Sequence, residues 1–95
     1  MTAAVPEPMH QFVSNLHRLI AERGLTPAEL AARAEIHRSH LTLILAGERM
    51  VQLDTLVKLA GALDVSPADL LAGVEWVSDG EGGGEFRRRD ERPSP

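Results

Sequence analysis

The sequence has no cysteine among its 95 residues, so it can build neither a disulfide framework nor a thiolate metal site, and nothing in it calls for an oxidising compartment. Long apolar runs are missing too. No stretch approaches the roughly 18 apolar residues of a membrane span. The opening MTAAVPEPM has no basic region followed by an apolar core, so no secretory leader is expected and the chain reads as cytoplasmic. Strand-type alternation is absent. So are the groupings that carry catalysis: there are no paired carboxylates, no nucleophile with a base and no phosphate-cradling glycine loop in the part expected to be ordered. The chain therefore reads as non-enzymatic, with no cofactor. Positive charge is also short, and the formal net charge is -4. Most of that acidic excess sits toward the ends, because residues 10–73 hold six Lys or Arg against seven Asp or Glu. A local basic surface built from Arg33, Arg38 and Arg49 remains open to the chain.

What the sequence does contain is concentrated in TPAELAARAEIHRSHLTLILAG, residues 26–47. Thr26 is an N-cap type residue, Pro27 suits the first helical position, and Glu29 follows Thr26 by three, which together make a capping box ahead of an apolar run. A helix therefore starts at Pro27, with Leu30 and Ala31 as its buried stripe. About three residues, 34–36, make a turn. The helical pattern then restarts over 37–46, with Ile36, Leu41 and Ile44 spaced for one buried face and Arg38, Ser39, Thr42 and Leu43 pointing elsewhere. Two short helices on so tight a turn are a helix-turn-helix.

The flanking chain supplies more helices. Residues 1–8 carry two prolines and read as a flexible lead. A first helix is predicted over 10–23 from Phe12, Leu16, Leu19 and Ile20, with Gly24 as its C-cap. A fourth over 53–63 would bury Leu53, Leu56, Leu59, Ala60 and Leu63, with Asp54 near its positive end. Ser66, Pro67 and Asp69 form a second capping box, which starts a fifth helix carrying Leu70 and Leu71. Residues 74–77 are a short apolar extension in which Trp76 either completes the core or meets another subunit. Residues 78–95, rich in Gly, Arg and acids, read as a disordered tail, and its run Arg87-Arg88-Arg89 reads as solvated among flanking acids. The expected architecture is all-α: five helices in one domain over 9–73.

Several of these residues also match a family. Glu22-Arg23-Gly24-Leu25, Glu29-Leu30-Ala31, Gly47-Glu48-Arg49, Leu53-Asp54-Thr55-Leu56 and the run from Ala62 to Pro67 together resemble the lambda and Cro repressor-like helix-turn-helix domains, the XRE family. The resemblance covers about two thirds of the chain. Ile36-His37-Arg38-Ser39-His40 and Glu48-Arg49-Met50-Val51-Gln52-Leu53 look most like the controller proteins of restriction-modification systems. It implies that the helix over 37–46 lies in the major groove of double-stranded DNA with its N-terminal half toward the bases. Arg38 becomes the main base reader, since a guanidinium can donate two hydrogen bonds to guanine. Ser39 and Thr42 would reach base edges or phosphates, and Leu43 a thymine methyl. Thr26, Arg33, His37, Arg49 and Gln52 are the phosphate candidates, the first and last through free amides at helix starts. His37 and His40, three apart, lack a third ligand and are not read as a metal site.

Two departures from the family pattern are informative. Ile20 and Leu45 stand where family members often have an Arg and a Glu bridging the first and third helices, and here they are expected to make an apolar contact instead. Glu35 stands where the turn usually has Gly, so a non-glycine residue with positive φ is expected there. The resemblance implies a transcriptional regulator acting as a homodimer on a pseudo-palindromic operator, by occupying a promoter or recruiting polymerase. Two rivals are an antitoxin that represses its own operon while its tail binds a toxin, and a protein-interaction module that has lost DNA binding.

Overall fold

Amide and carbonyl groups left unpaired at helix ends need partners, and the endings of the helices show how this chain supplies them. The computed structural model describes residues 7–88. Its helices are α1 (Glu7–Arg23), α2 (Pro27–Ala34), α3 (Arg38–Leu45), α4 (Leu53–Ala62) and α5 (Pro67–Leu70). Strands β1 (Val74–Ser78) and β2 (Gly84–Arg88) follow. The first four helices end alike: a residue at the cap or just after it takes a left-handed conformation, and the next N–H reaches back to the last turn. Leu25 bonds to the Ile20 carbonyl at 3.2 Å, Ile36 to Ala31 at 3.1 Å, Glu48 to Leu43 at 2.9 Å and Val65 to Ala60 at 3.0 Å. Glycine fills the left-handed position at Gly24 and Gly47, whereas Glu35 (φ 55°) and Asp64 (φ 59°) fill it with a side chain. The conformation expected of Glu35 is present.

The helices close around one core. Phe12 and Leu16 of α1 are fully buried together with Leu30 of α2, Leu41 and Ile44 of α3, Leu59 and Leu63 of α4 and its cap, and Leu70 of α5. Asn15 and Thr55 are the buried polar residues among those described, and Asn15 makes the long-range ties. Its side-chain amide donates to the carbonyls of Leu70 and Ala72, both at 3.0 Å, and its oxygen accepts from Gln11 Nε2 at 3.0 Å. Four-residue α5 is too short to be stable alone, and Asn15 ties its C-terminal end to α1.

The expectations for five helices and for the capping boxes at Thr26 and Ser66 hold. Others need correction. Leu53, expected in the core, is 78% exposed at the first position of α4, and Leu71 lies outside α5 and is exposed. The tail expected to be disordered from 78 onward instead pairs with the apolar extension: β1 and β2 form an antiparallel hairpin with Trp76 opposite Phe86. The physical cause is a cross-strand aromatic pair, with ring centroids 4.9 Å apart in an edge-to-face arrangement. Trp76 is accordingly not a core residue; it is more than half exposed. Glu7 and Pro8, assigned to the flexible lead, belong to α1. Residues 1–6 and 89–95, which include Arg89, lie outside the described residues. Among the described residues no helix is long and apolar enough to cross a membrane.

Candidate nucleic-acid interface

Helix α3 is held from behind and open in front. Leu41 and Ile44 are fully buried in the core, and Ile36 packs half-buried against it from the turn. Ile20 is buried and Leu45 half-buried against the same core, so neither faces solvent. A polar tie in this region comes from α1. His17 Nε2 lies 3.1 Å from the Leu45 carbonyl oxygen, a hydrogen bond from α1 to the C-terminal end of α3. A helix C-terminus leaves carbonyls in need of donors, but no sequence spacing indicates which side chain will arrive.

The front of α3 carries the predicted readers. Arg38, Ser39 and Thr42 are exposed, while Leu43 is half-buried. Ser39, Thr42, Leu43 and Ala46 follow one another at helical spacing and share a face. Thr42 donates its hydroxyl proton to the Arg38 carbonyl at 2.9 Å, which leaves its oxygen lone pairs as its remaining hydrogen-bonding capacity. A base amino group suits such an acceptor, and a phosphate oxygen does not. Among the described residues, Arg38 and Ser39 make no side-chain bond.

The helix N-termini differ in what they leave free. At α2 the Thr26 hydroxyl accepts from the Glu29 N–H at 3.1 Å, and the Glu29 carboxylate accepts from the Thr26 N–H at 2.9 Å. The Thr26 backbone N–H, and after it the Thr26 hydroxyl, hold the Glu29 carboxyl below its ordinary pKa, so a full negative charge sits at this end. Pro27 has no N–H. The expectation of a phosphate site built from free amides at Thr26 is therefore weakened, since Ala28 alone keeps its amide unpaired in the first turn. By contrast, α3 starts from His37, which makes no side-chain cap bond, and the exposed His37 side chain stands beside the free amides of the first turn. Helix α4 starts from Gln52, also without a cap bond, although Asp54 Oδ1 takes the Thr55 N–H at 2.9 Å.

The remaining cations are spread out. Arg49 and Gln52 are exposed on the segment joining α3 to α4. Arg33, at the end of α2, borders a shallow groove of about 300 Å³ with Lys58, Gly61 and Ala62, so it lies alongside α4. Four cations between α2 and the end of α4 (Arg33, Arg38, Arg49, Lys58) are matched by four acids (Glu29, Glu35, Glu48, Asp54), and neither side prevails.

Two helices on a three-residue turn, the second buried on one side and uncapped at its exposed N-terminus, define a helix-turn-helix nucleic-acid-binding class of protein. The chain belongs to the family of Cro/C1-type helix-turn-helix DNA-binding domains, whose profile matches residues 15–75. It is 35% identical over 52 residues to the control protein C.BamHI of Bacillus amyloliquefaciens, a match spanning 55% of this chain and 64% of that one. The chain thus spans just under two thirds of that relative's length. Among solved structures, the restriction-modification controller protein C.AhdI of Aeromonas hydrophila is 34% identical, with a TM-score of 0.63 over 65% of this chain and 94% of its own. The biofilm master regulator SinR, solved in complex with DNA, is 28% identical with a TM-score of 0.60 over 63% and 97%.

Proposed function

We propose that this protein is a sequence-specific transcriptional regulator that inserts α3 into the major groove of an operator, as a homodimer on a pseudo-palindrome with half-sites about 34 Å apart. The observation that carries the reading is the open front of α3: Arg38 and Ser39 unpartnered and exposed at an uncapped helix start, over a fully buried Leu41 and Ile44. Arg38 reads guanine with its two-pronged guanidinium. Thr42 accepts from the amino group of adenine or cytosine, and Leu43 meets a thymine methyl. His37, Arg49 and Gln52 hold phosphates on either side, through charge at Arg49 and through free amides at the starts of α3 and α4. Thr26 and Arg33 contribute less, because Glu29 faces the first and α4 neighbours the second. The kinship with two controller proteins supports control of a nearby gene set rather than catalysis.

Selection of bound sites from random DNA tests the assignment. The native chain enriches a two-fold symmetric site containing guanine in each half, and Arg38→Ala loses about 1 to 3 kcal/mol of discrimination at that guanine while melting at the native temperature. Guanine preference surviving in the variant would remove Arg38 from the reader's role. An absence of binding even at low salt would favour the interaction-module reading, which the balanced charge around α3 supports.

A further inference from the structure

The family match ends at residue 75, so residues 76–88, most of the hairpin, lie beyond it. An isolated two-stranded hairpin is marginal in water. This one lies against α1, but its outer face is bare: Glu75 and Val77 are half-buried while Trp76 is 54% and Phe86 45% exposed. The aromatic pair is held in place, since a Cβ at Gly84 would come within 2.7 Å of the Trp76 ring. Glycine there lets the indole lie over the strand, a fixed apolar surface that none of the described residues covers.

The backbone shows which groups of β2 point away from β1. The Asp79 N–H bonds to the Gly83 carbonyl at 3.0 Å, and the Val74 N–H turns to Leu71 at 3.3 Å rather than to residue 88. Both fix the alternation: Val77 with Glu85 and Glu75 with Arg87 are the hydrogen-bonded pairs, and Trp76 with Phe86 is not. The Phe86 N–H and C=O therefore point outward from the free edge of β2. Edge strands are usually blunted by proline, lysine or a bulge. The sequence of β2, GEFRR, has neither proline nor lysine.

Its charges add the decisive feature. Glu85 and Arg87 flank Phe86 and already pair with each other at 2.7 Å. When an identical strand is laid antiparallel and centred on Phe86, Glu85 falls opposite the partner's Arg87, and Arg87 opposite the partner's Glu85. We propose that the free edge of β2 is a self-complementary docking edge for a second copy of this chain, Phe86 pairing with its symmetry equivalent to join two hairpins into one four-stranded sheet. The two outward groups of Phe86 then exchange hydrogen bonds with the other copy, and Trp76 and Phe86 of each subunit form one covered aromatic cluster. This rests on the homodimer in the reading above and names its interface; it does not depend on DNA binding.

The test is sedimentation equilibrium of the full chain without DNA. The native chain is expected to be a dimer. Glu85→Arg and Arg87→Glu each place like charges opposite one another twice per dimer, and each should weaken self-association at least about tenfold. An equimolar mixture of the two variants should recover dimers, because every reversed charge then meets an opposite one across the edge. Thermal melts confirm that both variants remain folded. A monomeric native chain, single variants that associate as the native chain does, or a mixture no tighter than its components would each overturn the proposal. Because the assay contains no DNA, a failure of this interface is read separately from a failure of the DNA reading.

Discussion

Helices α2 and α3 are eight residues each and stand side by side, yet their N-termini are finished in opposite ways. At α2 a reciprocal pair of bonds between Thr26 and Glu29 uses the amides and leaves a carboxylate in front of them. At α3 His37 leaves the amides unused. An unsatisfied amide at a helix start costs stability but retains an interaction for an anion. The pairing teaches that α2 is finished for folding, whereas α3 keeps the free amides that the proposed phosphate contact would use.

The sharpest way to break this contrast is to finish α3 like α2. His37→Asp supplies an acceptor at a residue already in the extended conformation that a cap needs. It should stabilise the fold by about 0.5 to 2 kcal/mol and weaken operator binding by about tenfold or more, because the new charge faces phosphate. Melting and titration with operator DNA would show the two effects moving in opposite directions; binding that strengthened would contradict the assignment of α3. Removing the cap from α2 is the mirror experiment. Thr26→Ala should cost about 1 kcal/mol, roughly 4 to 8 °C in melting temperature for a domain of this size, with little change in DNA affinity.

Smaller effects sharpen the comparison at the other end of α2. Glu35 holds a left-handed conformation at the position where Gly24 and Gly47 end their own helices. Glu35→Gly should therefore raise the melting temperature, by a gain of about 0.5 to 1 kcal/mol. The last effect is one of pH. The Glu29 carboxyl titrates lower in the folded chain than in the unfolded one, so its contribution to stability is complete above the ordinary carboxylate pKa and is lost as pH falls through the lowered value. In a pH series of melts, Glu29→Gln should lie below the native chain near neutrality and approach it in acid.

Local chemistry was readable from the chain in order. The capping boxes at Thr26 and Ser66 and the burial of Leu41 and Ile44 follow from residues within a turn of one another, where spacing and side-chain type carry the information, whereas the left-handed Glu35 was expected from the family resemblance. Helical periodicity was less reliable at element ends. It placed Leu53 in the core because it assumes that every apolar residue on a stripe is covered, and the chain runs out of neighbours there. The hairpin was missed for another reason. Its second strand is written in charged residues after a glycine-rich turn, and the Asp79-Gly80 step, a recognised hairpin signal, was the available clue.

The amino-acid sequence by itself determined where α2 and α5 begin and which module α2 and α3 form, because capping and amphipathic spacing act over a few residues. Tertiary structure alone decided that His17 reaches the carbonyl end of α3, that Asn15 ties α5 to α1, and that Trp76 and Phe86 meet face outward. Those pairings join residues from separate elements. No local preference specifies them, and they arise only once the core has set which surfaces lie together.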